Sequence, residues 1–160
     1  MIRNILELNS IPLWFFSFAA LLAIAIGLKT KKWILALLIS YTLIILGETL
    51  LFRTPGHTGI ELTPFWSYAY PEMKWEIVAN ILLFIPFGFL AGNLWGWKAI
   101  PLAAFLSFCI EAVQLVCKLG FFEFDDMIHN TAGAVIGYLL VLLIAKAVGK
   151  KQKAEFHNND

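Results

Sequence analysis

Five long apolar runs constrain what this chain can fold into. They cover residues 11–28, 33–52, 77–95, 99–119 and 127–145. A helix needs about 17–25 mostly apolar residues to cross a bilayer, and each run falls within that range. In hydrocarbon the backbone must satisfy its own hydrogen bonds, so an apolar run of this length folds as a helix. The composition agrees, because 60% of the residues are hydrophobic and 14% are charged, against about 25% charged in soluble domains. The sequence therefore predicts an all-α, polytopic membrane helix bundle of about five transmembrane helices.

The distribution of lysine and arginine predicts the orientation of this bundle. With five crossings, one side of the membrane carries eight basic residues: Lys29, Lys31, Lys32, Lys98, Lys146, Lys150, Lys151 and Lys153. The opposite side carries four: Arg3, Arg53, Lys74 and Lys118. Because cytoplasmic loops hold the excess of basic residues, we expect the N-terminus outside and the C-terminus in the cytoplasm. The loop 53–76 is then outside, and the protein is expected to be a multi-pass protein of the cell membrane.

Length and segment composition predict the domain organisation. A chain of 160 residues is expected to form one unit, here a single transmembrane domain over residues 1–149. The polar segment 150–160 is expected to be a disordered cytoplasmic tail. The first apolar run is too long for the apolar part of a signal peptide and is followed by no persuasive cleavage site, so a retained helix is expected. The net charge of +1 gives no reason to expect a nucleic-acid partner.

Two of the predicted helices carry stripes of polar or small residues. The stripe on the fourth run consists of Ser107, Glu111, Gln114 and Lys118. The stripe on the fifth run consists of Asp126, Asn130, Gly133 and Gly137. Spacings of three and four residues place each set on one helix face. The G-x-x-x-G pair at the end of the second stripe would let a neighbouring helix approach closely, which indicates that this face points into the bundle.

In the predicted orientation, polar residues from four helices meet near the outer boundary of the bilayer. Glu48, Asn80, Glu111, Gln114, His129 and Asn130 fall roughly 4–12 Å below that boundary, with Arg53, Asp125 and Asp126 above them. A charge at mid-bilayer costs at least about 2.5–3.5 kcal/mol, so these groups are not expected to face lipid. Two interpretations remain open: a structural knot of mutually neutralised groups, and an outward-facing hydrated cavity that binds a ligand or moves protons. A metal site formed by Glu111, Asp126 and His129 is chemically possible, but we expect neither a metal nor a cofactor.

The same region resembles the VanZ-like family. The resemblance rests on NILLFIPFGF at 80–89, SFCIEAVQ at 107–114 and DDMIHNTAGAVIGY at 125–138, preceded by LTPF at 62–65. Matched by position, the family's signature residues are Arg53, Pro64, Asn80, Pro86, Gly88, Glu111, Gln114, Asp126, Asn130, Gly133 and Gly137. Two departures stand out. The stretch GFFEF at 120–124 lacks the arginine that family members often carry before the acidic pair. Lys118 is the candidate to replace that arginine as the cation. His129 replaces a residue that tends to be aliphatic.

This resemblance implies a phenotype and no reaction: low-level resistance to the lipoglycopeptide teicoplanin. The expected partners are membrane lipids or a lipid-linked cell-wall precursor. The candidate ligand-binding residues are Arg53, Asn80, Glu111, Gln114, Asp125, Asp126 and Asn130. One hypothesis is a non-enzymatic envelope protein that binds such a lipid, a wall precursor or the drug itself. The alternatives are a membrane-embedded enzyme acting on an envelope lipid, with Glu111 or Asp126 as general base, and a proton-coupled transporter.

Overall fold

The computed structural model of the chain describes residues 12–56 and 58–157, with side chains as far as residue 149. Within these residues it contains five α-helices: α1 Leu13–Thr30, α2 Trp33–Leu46, α3 Lys74–Trp95, α4 Ala99–Val116 and α5 Phe124–His157. Each helix coincides with one of the five apolar runs, so the prediction of an all-α membrane bundle is confirmed. Arg3, which entered the charge count, lies outside the described residues.

The ends of three helices differ from the limits of the apolar runs. α2 continues as a π-helical turn, Gly47–Leu51. α4 ends at Val116, and Lys118 adopts a left-handed φ of 57°, so Lys118 does not extend the stripe predicted on this helix. α5 continues to His157, into the segment 150–160 for which the sequence predicted a disordered tail. Residues 158–160 lie outside the described residues.

The break between α3 and α4 begins at a glycine. Four helical segments are long and apolar enough to cross a membrane, and one of them, Pro71–Val116, contains both of these helices. Gly96 interrupts that segment with φ 62° and ψ −138°, a conformation that a residue without a Cβ adopts freely. A short 3₁₀ turn, Gly96–Lys98, then leads into α4. The chain therefore reverses here, and the segment supplies two helices.

Glycines hold α3 and α5 in close contact. A Cβ on Gly133 would clash with the backbone carbonyl of Ile81, and a Cβ on Gly137 would clash with the carbonyl of Ile85. Because residue numbers increase together along the two helices, α3 and α5 run parallel. The close approach predicted from the G-x-x-x-G pair is present in the structure.

The remaining helices complete an up-and-down bundle. α4 runs antiparallel to α5. Glu123, just before α5, bonds to Glu111, and Asn130, further along α5, bonds to Ser107, which comes earlier in α4. α2 packs on α3, where the Tyr41 hydroxyl donates to the Leu83 carbonyl over 2.9 Å. That carbonyl adjoins the turn in which Pro86 removes a backbone donor. α1 packs on α2, and its Phe15 also meets Phe52 beyond the end of α2.

The bundle has a small apolar core and an apolar exterior. The buried core side chains are Leu38, Ile45, Phe84, Phe87, Ala91, Ala99, Ala103, Ile110 and Ala134. Many large apolar side chains, such as Leu21, Phe105 and Leu143, are more than half exposed. Exposure on this scale suits a surface that faces lipid, whose chains are as apolar as leucine.

Candidate ligand site at the loop end of the bundle

One end of the bundle, named the loop end here, carries the connections α2–α3 and α4–α5. These connections pair with each other through two short parallel strands, β1 Gly59–Glu61 and β2 Phe121–Glu123. The Gly56 amide donates to the Lys118 carbonyl over 3.0 Å, which holds the start of the long loop on the α4–α5 turn. All the predicted site residues lie at or just below this end, as their positions along the helices require.

The polar stripe of α4 is buried and hydrogen-bonded. Glu111 is 2% exposed, and its Oε2 accepts the backbone N–H of Glu123 over 2.9 Å. Gln114 is also buried, and its Nε2 donates to the carbonyl of Thr49 over 3.0 Å. Thr49 lies in the π-helical turn, where the change of helical pitch leaves carbonyls for outside donors. Two predicted residues thus attach α4 to its neighbours.

Two amide side chains have atoms without a partner among the described residues. Asn130 is 3% exposed; its Nδ2 donates to Ser107 Oγ over 2.8 Å, but its Oδ1 is buried and unpaired. The Nδ2 of Asn80, on α3, is likewise buried and unpaired. Buried polar groups are nearly always hydrogen-bonded, and an unpaired one calls for an explanation such as a bound molecule. An unused donor and an unused acceptor therefore lie on neighbouring helices.

The two adjacent aspartates have different surroundings. Asp125 is fully buried, and its carboxylate accepts hydrogen bonds from the Phe65 amide, the Ser67 amide (3.1 Å) and the Ser67 hydroxyl (2.6 Å). Phe65 has a left-handed φ of 62°, a strained conformation that these bonds hold in place. Asp125 therefore fixes the LTPFWS segment of the loop, whereas Asp126 lies among other carboxylates.

Five carboxylates and one guanidinium lie in the same region at the loop end. We name this group the acid cluster: Glu48, Glu76, Glu111, Glu123 and Asp126, with Arg53. Arg53 is close enough to Glu48, Glu111, Glu123 and Asp126 to interact with each electrostatically, and Glu76 interacts with the last three. A Cβ on Gly120 would lie 2.7 Å from Nη1 of Arg53, so the guanidinium lies against the stretch that lacks the family's usual arginine. Lys118, the expected substitute, is exposed.

Burial raises the pKa of the Glu123 carboxyl group. Desolvation, followed by the negative charge of Glu76, raises the pKa of Glu123 from 4.5 to about 7, and Arg53 only partly offsets this. A carboxyl group with a pKa near neutrality can gain or lose a proton under physiological conditions.

His129 takes no part in the acid cluster. It is 3% exposed, its Nε2 lies 3.2 Å from the Tyr68 hydroxyl, and its Nδ1 is buried and unpaired within the described residues. Its ring also packs on that of Tyr68, with 5.6 Å between centroids. The metal-ligand set considered from the sequence is therefore not assembled. No three His, Cys, Asp or Glu side chains within residues 12–56 and 58–149 are placed to hold a metal.

Two members of the acid cluster, Glu76 and Glu123, were not predicted from the sequence. Glu76 lies in the first turn of α3, four residues before Asn80, so helical spacing alone could have placed it on the same face. Glu123 lies in β2, and its position depends on the pairing of β2 with a strand about 60 residues earlier in the chain. No local pattern reveals that pairing.

Two grooves of the molecule lie away from the acid cluster. One, of about 570 Å³, lies at the opposite end of the bundle, between the start of α2 and the end of α3. Another, of about 460 Å³, runs between α2 and α4. No member of the acid cluster lines either groove.

Taken together, the helices and this cluster define a helical membrane protein with ionisable groups gathered at one end of its bundle. The sequence profile of the VanZ/LLP1 family matches residues 33–145, and the chain belongs to that family. It is 32% identical over 98 residues to Protein VanZ of Enterococcus faecium, a match that covers 59% of this chain and 59% of that protein. The chain thus aligns with about three-fifths of this relative's length. No solved structure matches it.

Proposed function

We propose that this is a multi-pass protein of the bacterial cell membrane that lowers susceptibility to teicoplanin by binding an amphiphile at the acid cluster. The amphiphile is an envelope lipid, a lipid-linked wall precursor or the drug itself. Its apolar part would lie along the bundle and its polar head would reach the cluster. Membership of the VanZ/LLP1 family supports the resistance role, and the arrangement of charges supports the binding role.

The observation that carries this proposal is the imbalance of charge in the acid cluster. A structural knot is expected to pair each buried acid with a cation or with donors, because an unpaired buried charge is costly. Here Glu111 is buried, Glu48, Glu123 and Asp126 are partly buried, and Glu76 is exposed, with one arginine among them. The basic side chains nearest in sequence, Lys74 and Lys118, are exposed. The unpaired amide atoms of Asn80 and Asn130 on neighbouring helices agree with a site whose partner is a separate molecule. Such a partner would offer an ammonium group or several hydroxyl and amide donors.

Resistance measurements on cells that express variants test this proposal. Glu111→Gln and Asp126→Asn each replace a carboxyl group by an amide of the same shape, and both are expected to lose resistance to teicoplanin. Glu72→Gln is the matched control, because Glu72 is an exposed carboxylate of the loop outside the cluster. All three proteins should reach the membrane in equal amounts. Full resistance from both cluster variants would overturn the proposal.

A membrane-embedded enzyme is a second candidate, with Glu111 or Asp126 as general base. The grouping of carboxylates in low-dielectric surroundings favours it, since proteins use such groups to hold a proton for transfer. Incubating the purified protein with a lipid-linked wall precursor separates the two functions. An enzyme would convert the precursor to a product of different mass, whereas a binding protein would return it unchanged.

A further inference from the structure

The end of the bundle opposite the acid cluster combines a basic mouth with an apolar groove. The mouth is lined by Lys31 and Lys32, together with Trp33 and Trp95. We name this end the lysine end. The basic-residue count predicts that it faces the cytoplasm, where anionic lipids attract lysine.

The groove continues from this mouth along the outside of the bundle. α2 and α4 form its two walls, and Phe87 of α3 lies on its floor. Leu35 and Trp95 line both the mouth and the groove, so the two spaces adjoin each other. From Leu35 to Leu43 the groove follows α2 for roughly 12 Å at 1.5 Å per residue.

The lining of the groove ends at Leu43 on α2 and Cys109 on α4. Nearer the loop end, Gln114 of α4 donates to the Thr49 carbonyl in the π-helical turn that continues α2. The lining of both spaces contains no acidic residue. The hydroxyl of Thr42, which lines the groove, donates to the Leu38 carbonyl and is therefore already satisfied. The space is an open apolar groove with positive charge at one end.

We propose that this groove binds an anionic phospholipid, with one acyl chain between α2 and α4 and its phosphate against Lys31 and Lys32. The charge at the mouth selects a negative head group, and the apolar walls accept a hydrocarbon chain. The backbone of Lys31, which has a left-handed conformation, is held by the bond from its amide to the Gly27 carbonyl. This lipid site is separate from the acid cluster and does not depend on the function proposed for it.

Quenching of a fluorophore by brominated lipids tests the site. Cys109 lines the inner part of the groove and can carry a bimane label once Cys117 is replaced by serine. The labelled protein is placed in vesicles containing either phosphatidylglycerol or phosphatidylcholine with the same brominated acyl chains. We expect phosphatidylglycerol to quench at a lower mole fraction. Each lysine near an anionic head group contributes about a fivefold preference, so Lys31→Gln with Lys32→Gln should remove most of it.

Two further variants make the result specific. Lys29→Gln with Lys146→Gln removes the same charge at the same end from residues outside the lining and should leave the preference unchanged. Leu102→Trp places bulk in the groove and should weaken quenching by both lipids. Equal quenching by the two lipids would overturn the proposal, as would a preference that survives the loss of Lys31 and Lys32. Absence of quenching by either lipid would indicate a protein segment in the groove and would also overturn it.

Discussion

The substitution Gly133→Ala tests the contact between α3 and α5. Alanine is favoured over glycine in a helix by about 1 kcal/mol, so an unpacked position would become more stable. At Gly133, however, the new methyl would meet the backbone carbonyl of Ile81 and the Cβ of Phe84. A backbone oxygen cannot rotate away, so α3 itself would have to shift. Overpacking of this kind costs about 1–3 kcal/mol.

The net effect follows from these two terms. With the overpacking cost near its upper limit, Gly133→Ala should lose about 2 kcal/mol of unfolding free energy. For a chain of this size that corresponds to a fall in Tm of roughly 4–8 °C, measurable by thermal unfolding in detergent. Gly149→Ala is the matched control, because a Cβ there would meet nothing within 4 Å. If Gly133→Ala melts at or above the temperature of this control, the close contact is refuted.

Three further predictions concern the orientation of the bundle, the docking of the long loop and the response to pH. A membrane-impermeant thiol reagent applied to intact cells should label Glu72→Cys but not Lys98→Cys in a cysteine-free background; the reverse pattern would invert the orientation. Asp125→Ala should lower the unfolding free energy by more than about 2 kcal/mol, since it leaves buried donors of the Phe65–Ser67 segment unpaired; normal thermal stability of the purified variant would contradict that role. Because the pKa of Glu123 is raised from 4.5 to about 7, the folded state binds more protons than the unfolded state between these values, and stability should fall as pH rises through this range. Glu123→Gln should flatten that dependence, and melting curves at pH 5 and pH 8 that match those of the wild type would contradict it.

The sequence predicted the helices well because their cause is local. Each run is apolar enough to require a helix in hydrocarbon, wherever the other helices lie. Spacing alone also placed Glu111 and Gln114 on one buried face of α4. The G-x-x-x-G pair in α5 predicted a close neighbour, although not that α3 would supply a second such pair at Gly88 and Gly92.

The different roles of the site residues could not be predicted from local sequence patterns. Asp125 and Asp126 are adjacent and chemically identical, and only the fold directs one to the loop and the other to the acid cluster. The pairing of β1 with β2, which positions Glu123, joins distant segments of three residues each. His129 shares a helical turn with Asp126 but contacts Tyr68. Each outcome depends on how the long loop docks, and no local propensity encodes that docking.

The central claim is that the acid cluster is a site for another molecule and not a structural knot. The most direct test is the unfolding free energy of purified Asp126→Asn. In a knot, removing one charge strands its partner and costs about 3–5 kcal/mol. In a cluster with excess negative charge, the same change removes repulsion from Glu76, Glu111 and Glu123, so stability should stay equal or rise. A loss of several kcal/mol in this variant would contradict the account.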